Sequence, residues 1–169
     1  MAFKHLLVPT DFSEPANNAL RYAIEEAGLH HAKVTLLHVL PADTRTDVHY
    51  VTGAPAPAAA RGGLGPGVHG SALLSQPEVV RRDRTEEALT QLRDLVANAF
   101  QGPSEVAVAM GNPADTIVRV AQERSADLIV MSTHGRTGLQ HMLLGSVAEK
   151  VVRLAPCPVL TVKPQGAPM

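Results

Sequence analysis

The chain has 169 residues, 45% of them hydrophobic but only 3% aromatic, and a formal net charge of −1 from 15 basic and 16 acidic side chains. That length predicts one domain with a core of Val, Leu, Ile and Ala; the near-even charge excludes nucleic acid or an anionic membrane as the main partner but leaves room for a small anionic ligand. The single cysteine, Cys157, excludes an internal disulfide, and with no 18-residue apolar run and no leader-like start the sequence reads as a cytoplasmic protein.

Strand-like and helix-like runs alternate along the chain. "KHLLVP" (4–9) is short and apolar, and Thr10, Asp11 and Ser13 behind it are turn and N-cap residues. Ala16, Ala19, Leu20, Ala23, Ile24 and Ala27 then recur at helical spacing, with Gly28 as the predicted stop and His30-His31 suited to a helix C-terminal dipole. "KVTLLHVL" (33–40) is the second strand and "EVAVAM" (105–110) the third. Gly111 closes the third; Asn112 as N-cap, Pro113 and Asp115 open a helix carrying Ile117, Val118, Val120 and Ala121. "DLIVM" (127–131) has the unbroken apolarity of a strand covered on both faces. A helix on Val147, Val151 and Leu154 leads to the last strand, "PVLTVK" (158–163), with Cys157 ahead of it as a structural thiol.

Between the second and third strands, Glu78–Phe100 carries Leu89, Leu92, Val96 and Phe100 at helical spacing. Residues 53–70 contain fourteen Gly, Ala or Pro in eighteen positions, too little burial to offset the ordering entropy. A flexible Ala/Pro/Gly-rich loop or lid over about 42–77 is therefore expected, inside a single domain spanning 1–169. "GPGVHG" (65–70) spells G-x-G-x-x-G, but without a strand before it or a helix directly after it the match carries no dinucleotide site. No G-x-S-x-G and no G-x-x-x-x-G-K-[ST] occurs, which removes ordinary serine hydrolases and P-loop ATPases.

This alternation predicts a parallel sheet with helices on both faces, which binds ligands beyond the carboxyl ends of its strands. Pro9–Ser13, Val39–Pro41, Gly111–Pro113 and Met131–Ser146 are the loops at that end. In the last, Ser132-Thr133-His134-Gly135-Arg136-Thr137-Gly138 follows a strand, and Gly145-Ser146 stands at a helix start. A Gly-rich turn can form a nest of N–H groups for an anion, and a helix N-terminus adds more. Ser146 and Glu149 also spell a capping box, so Ser146 is either a cap or a phosphate contact. Arg136 is either a phosphate contact or a solvated loop residue. Asp11 alone reads as a turn residue, and Val39 and Met131 as core. His134 and His141 share the loop, but no histidine spacing marks a metal site.

"LLVPTDFSEPANNAL", "LLHV", "GNPADTIVRVA", "ADLIVMSTHGRTGLQHMLLGSVAEKVV" and "APCPVLTVK" together resemble the universal stress protein family in its nucleotide-binding branch, over nearly the whole chain. The family's ATP signature, G-x-x-G-x(9)-G-[ST], is matched from Gly135 through nine residues to Gly145-Ser146; Ser132 stands where the signature has its first glycine. A serine is tolerated there if φ is negative. The resemblance implies a Rossmann-like, adenine nucleotide α-hydrolase-like fold: a five-stranded parallel sheet of order 3-2-1-4-5. It also implies ATP or AMP, with Mg2+ on the phosphates. Pro9, Thr10 and Asp11 would lie at the end of the first strand, with Asp11 near the ribose and Val39 and Met131 on the adenine. Gly135, Gly145 and Ser146 would meet the phosphates, with Ser132, His134, Arg136 and Val147 in the same wall. A stress or energy-state sensor follows, with at most slow hydrolysis, since no general base is evident. The last strand (159–162), an apolar edge, would pair with a second copy in a homodimer. The alternative is a nucleotide-free homodimeric interaction module of the same fold.

Overall fold

The computed structural model describes residues 2–42, 51–53, 76–134 and 144–163, with side chains described outside 51–53 and 76–82. In chain order these form β1 (His5–Thr10), α1 (Glu14–His30), β2 (Lys33–Leu40), β3 (Val51–Gly53), α2 (Gln76–Ala99), β4 (Ser104–Met110), α3 (Pro113–Glu123), β5 (Leu128–Ser132), α4 (Ser146–Leu154) and β6 (Val159–Val162). The sheet order is β3-β4-β2-β1-β5-β6. Its five long-range parallel strands, β4-β2-β1-β5-β6, reproduce the expected order 3-2-1-4-5. The addition is β3, three residues inside the expected 42–77 loop, which pairs antiparallel to β4 from Val51↔Val108 to Gly53↔Val106. Residues 76 and 77 of the expected loop instead begin α2; its residues 43–50 and 54–75, with the glycines of 65–70, lie outside the described residues.

Strand pleating sends alternate side chains to opposite faces, and each face has its own core. Leu6, Val8, Val34, Leu36, Val106 and Val130 pack with α1 and α2 residues such as Leu20, Ala23, Leu89 and Leu92. Leu7, Leu37, Ala107, Ile129 and Met131 pack with Ile117, Val120 and Ala121 of α3 and with Ala148 and Val151 of α4. The crossover helices therefore leave β1 and β5, which are neighbours in the sheet, toward opposite faces. A crevice opens between their carboxyl ends.

Ser13 and Asn112 cap their helices as expected, accepting from the Ala16 and Asp115 amides, both at 3.4 Å. Two terminal expectations need correction. Gly28 does not stop α1: the helix runs to His30, and His31 takes the left-handed conformation at φ 51°, while the Ala32 amide reaches back to the Ala27 carbonyl at 2.9 Å. That bond, with the His31 side chain exposed, lets a histidine do what a glycine does more cheaply. Ser146 does not cap α4: the N-cap is Gly145, with no side-chain cap bond, and Ser146 is the first helical residue. The capping box is one position out of register. Cys157 is half-buried, and that burial pushes its thiol up, as suits a structural role.

At Gly111, where β4 ends, φ is +144°, and a Cβ there would lie 2.6 Å from Thr116 Oγ1. Gly111→Ala is expected to lower stability by about 1–3 kcal/mol through backbone strain alone, read as a lower midpoint in urea unfolding with unchanged slope.

Candidate functional site

A cleft of about 290 Å³ opens where the crevice was expected, lined by the ends of β1, β2 and β5 and the N-termini of α3 and α4. Ten of the residues singled out from sequence line it: Pro9, Thr10, Asp11, Val39, Met131, Ser132, His134, Gly145, Ser146 and Val147. Gly135 and Arg136 lie outside the described residues, as does His141.

The β1 corner is tightly built. Thr10 is buried and its hydroxyl accepts from the Phe12 amide at 3.0 Å. Phe12 holds a left-handed φ of 64°, and its ring packs against His38 with centroids 4.5 Å apart. Asp11 Oδ1 accepts from both the amide of Ser13, at 3.1 Å, and its hydroxyl, at 2.5 Å. His38 Nδ1 lies 2.8 Å from the Thr10 carbonyl. A carbonyl only accepts, so this nitrogen carries the proton. His38 and its neighbour Leu37 also line the cleft. Their signal was present in "LLHV", a polar ring interrupting an apolar strand, but only the pairing with β1 gives the ring a task.

The opposite wall joins the end of β5 to the start of α4. Ser132 lies in β5 and is absent from the left-handed residues, which among those described are Phe12, His31 and Ser125 besides glycine. The condition for tolerating serine at this position is met. Its hydroxyl donates to the His134 carbonyl at 2.6 Å and so braces the turn. Thr133, a cleft residue that sequence reasoning passed over, is buried; its amide donates to the Val162 carbonyl and its carbonyl accepts from the Gly145 amide at 2.8 Å. Its hydroxyl lies 2.9 Å from His134 Nδ1. Gly145 is pressed against this turn so closely that a Cβ would sit 3.0 Å from the Thr133 carbonyl oxygen.

With Gly145 as a cap that offers no side chain, the first-turn amides of α4 at Ser146, Val147 and Ala148 have no intrahelical acceptor. The positive end of the helix dipole points the same way. Among the described lining residues there is no lysine or arginine, so a phosphate here would be held by backbone N–H groups and hydroxyls. The apolar side is Pro9, Leu37, Val39, Ile117 and Met131, a surface suited to a flat heterocycle. Among the described residues no group of three or more His, Cys, Asp or Glu is placed to hold a metal ion.

A doubly wound α/β protein with an anion-ready helix N-terminus at its switch point is thus defined. The sequence profile of the universal stress protein family matches residues 2–64 and 66–163, and the chain belongs to that family. The universal stress protein MJ0531 of Methanocaldococcus jannaschii is 35% identical over 162 residues, covering 95% of this chain and 82% of its own. MJ0577 of the same organism is 30% identical over 165 residues, covering 95% of both chains. The solved structure of MJ0577 superposes with a TM-score of 0.71 at 26% identity, covering 98% of this chain and 99% of its own. A universal stress protein solved in complex with cAMP shares the fold, with a TM-score of 0.61 at 22% identity over 96% of this chain and 98% of its own.

Proposed function

We propose that this protein binds an adenine nucleotide, ATP or AMP, in the cleft at the strand carboxyl ends, and serves as a cytoplasmic stress or energy-state sensor. The observation that carries the reading is the convergence of the uncapped α4 N-terminus and the Thr133–His134 turn, joined at Gly145, opposite a carboxylate and beside an apolar slot. A phosphate at Ser146 and Val147, a ribose at Asp11 and an adenine between Val39 and Met131 use all three. The cAMP-bound relative supports the capacity of this fold to hold an adenine nucleotide. Gly135 and Arg136 would complete the phosphate wall, and Mg2+ would arrive on the phosphate oxygens and water. Hydrolysis would be slow, since the one carboxylate lining the cleft, among the described residues, is Asp11, already engaged by Ser13. Identification of the nucleotide released on denaturing freshly purified protein tests the reading: adenine nucleotide in near-stoichiometric amount supports it. Protein free of nucleotide favours the interaction module instead.

The protein would act as a homodimer through β6. That strand forms one edge of the sheet, and Leu160 on it is 38% exposed, beside exposed Val152 and Leu154 of α4. An unpaired apolar edge favours a second copy. Sedimentation at micromolar concentration is expected to give a dimer, and Leu160→Asp a monomer; a wild-type monomer would rule this out.

A further inference from the structure

We infer that the groove between α1 and α2 is a second ligand site, and that it takes a small zwitterion with an apolar tail, an α-amino acid such as leucine. The inference does not depend on the nucleotide reading. α1 lies over β1 and β5 and α2 over β2 and β4, on the same face of the sheet. A groove of about 480 Å³ runs between the two helices, and it shares no lining residue with the cleft at the strand carboxyl ends. Its floor is apolar: Leu20 is buried, and Phe12 and Leu95 are half-buried. The Phe12 ring is held from behind by its contact with His38. Such a floor with a few polar groups around it is the usual make-up of a small-molecule site.

Three polar features of the groove have the same sign. The side-chain oxygen of Asn17 is buried and meets no hydrogen-bond donor among the described residues, a costly state until a donor reaches it. Asn17 lines the groove, and its last torsion is soft, so a donor entering there can meet that oxygen. Asp94, on the α2 wall, is exposed and has no ion-pair partner among the described residues. The last turn of α2 supplies Asn98 and Ala99 to the groove and carries no basic residue, so the negative end of the helix dipole is uncompensated. A primary ammonium, with its charge and three hydrogens, suits all three. Arg21 is the exception in sign. It sits one turn beyond Asn17 on the α1 wall, exposed and likewise unpaired, and a guanidinium fits a carboxylate. Opposite charges on the two walls, with no ion pair between them, match a ligand that carries both. A simple amine leaves Arg21 unmatched, and a simple carboxylate leaves Asp94 and Asn17 unmatched.

The test is an amide NMR titration of the full chain with L-leucine, isoamylamine and 4-methylpentanoate. The three share one tail and carry both charges, the ammonium alone and the carboxylate alone. Leucine is expected to shift resonances of the groove residues saturably, and each analogue to bind about tenfold more weakly. Asp94→Asn and Arg21→Gln change exposed, unpaired side chains, so both should keep the wild-type melting temperature and weaken leucine about tenfold. Asn17→Leu removes the unpartnered oxygen and fills its space; it should melt no lower than wild type and lose leucine binding. No shift at millimolar leucine overturns the inference. So does wild-type affinity in both charge variants, or binding of either analogue as tight as that of leucine. Leucine binding in the groove by protein that binds no ATP supports the inference and counts against the proposed function alone.

Discussion

Gly145→Val is expected to weaken ATP binding about 100-fold while the protein stays folded. A Cβ at this position would stand 3.0 Å from the Thr133 carbonyl oxygen and 3.9 Å from the His134 Cα, so a branched side chain forces this junction apart. The hydrogen bond from the Gly145 amide to that carbonyl, at 2.8 Å, is then the first to stretch. It joins the turn after β5 to the start of α4, whose first-turn amides the proposed reading assigns to the phosphates. Separating them loses one or two charge-assisted hydrogen bonds, each worth roughly 1.5–3 kcal/mol. Gly145→Ala should fall between, since a shift of a few tenths of an ångström accommodates one methyl. Fold stability should drop only slightly, because Ala148 and Val151 keep α4 anchored in the core. Titration of both variants beside thermal unfolding checks this; wild-type affinity in Gly145→Val would show that the junction does not hold the ligand.

Glu105→Gln is expected to have the opposite profile: about 2 kcal/mol less stable at neutral pH, with nucleotide affinity unchanged. Glu105 belongs to a polar cluster at the amino ends of the strands, away from the cleft at the carboxyl ends. Its carboxylate meets Lys33 Nζ and an Arg124 guanidinium nitrogen, each at 2.5 Å, and the Thr35 hydroxyl at 3.1 Å. Arg124 is 23% exposed and Lys33 41%, so most of the loss falls on the arginine, which water reaches less well. His5 completes the cluster, with Nδ1 2.9 Å from the Arg124 carbonyl and Nε2 2.6 Å from Thr35 Oγ1. Asp127 accepts from the Lys4 and His5 amides and ties β1 to the start of β5.

The pH dependence separates these groups. Burial pushes the Glu105 carboxyl up, but the Lys33 hydrogen bond, the Arg124 charge and Thr35 outweigh it and hold the group below its ordinary value. Its contribution is therefore full above the unfolded carboxyl range of about 4.3 and is lost as pH falls through the folded value. Burial lowers His5, against the pull of the Arg124 carbonyl, with the Lys33 charge also lowering it and Glu105 and Asp127 raising it. The unfolded chain then takes that proton more readily, and stability falls as pH drops below about 6.5 toward the folded value. Wild type should lose stability in two limbs on acidification. Glu105→Gln should keep the upper limb and lack the lower one; the reverse pattern would show that these assignments are wrong.

The fold was legible because both faces of the sheet are covered. Strands such as "LIVM" are apolar throughout, while helices such as α3 show one apolar stripe, and the two patterns do not mimic each other. What failed lay at element ends, where a single bond decides. Gly28 has the right residue type for a helix stop, but the Ala32–Ala27 bond places the stop at His31. Ser146 and Glu149 have the right spacing for a box, but the contact of Gly145 with Thr133 moves the cap one residue back. β3 was hidden because its pairing partner, β4, is some fifty residues away in sequence. In the cleft, Gly145 and Ser146 of the signature line the wall while Gly135 and Arg136 lie outside the described residues, whereas His38 and Thr133 act through cross-strand bonds that no local pattern encodes.

The central claim, that the cleft between β1 and β5 holds an adenine nucleotide, is tested most directly by calorimetric titration of the nucleotide-stripped protein with ATP and AMP. One nucleotide per chain, bound with a dissociation constant below the millimolar range and lost in Gly145→Val but not in Glu105→Gln, is the expected result. No heat of binding at millimolar ATP, from protein that is folded by its thermal transition, would contradict it.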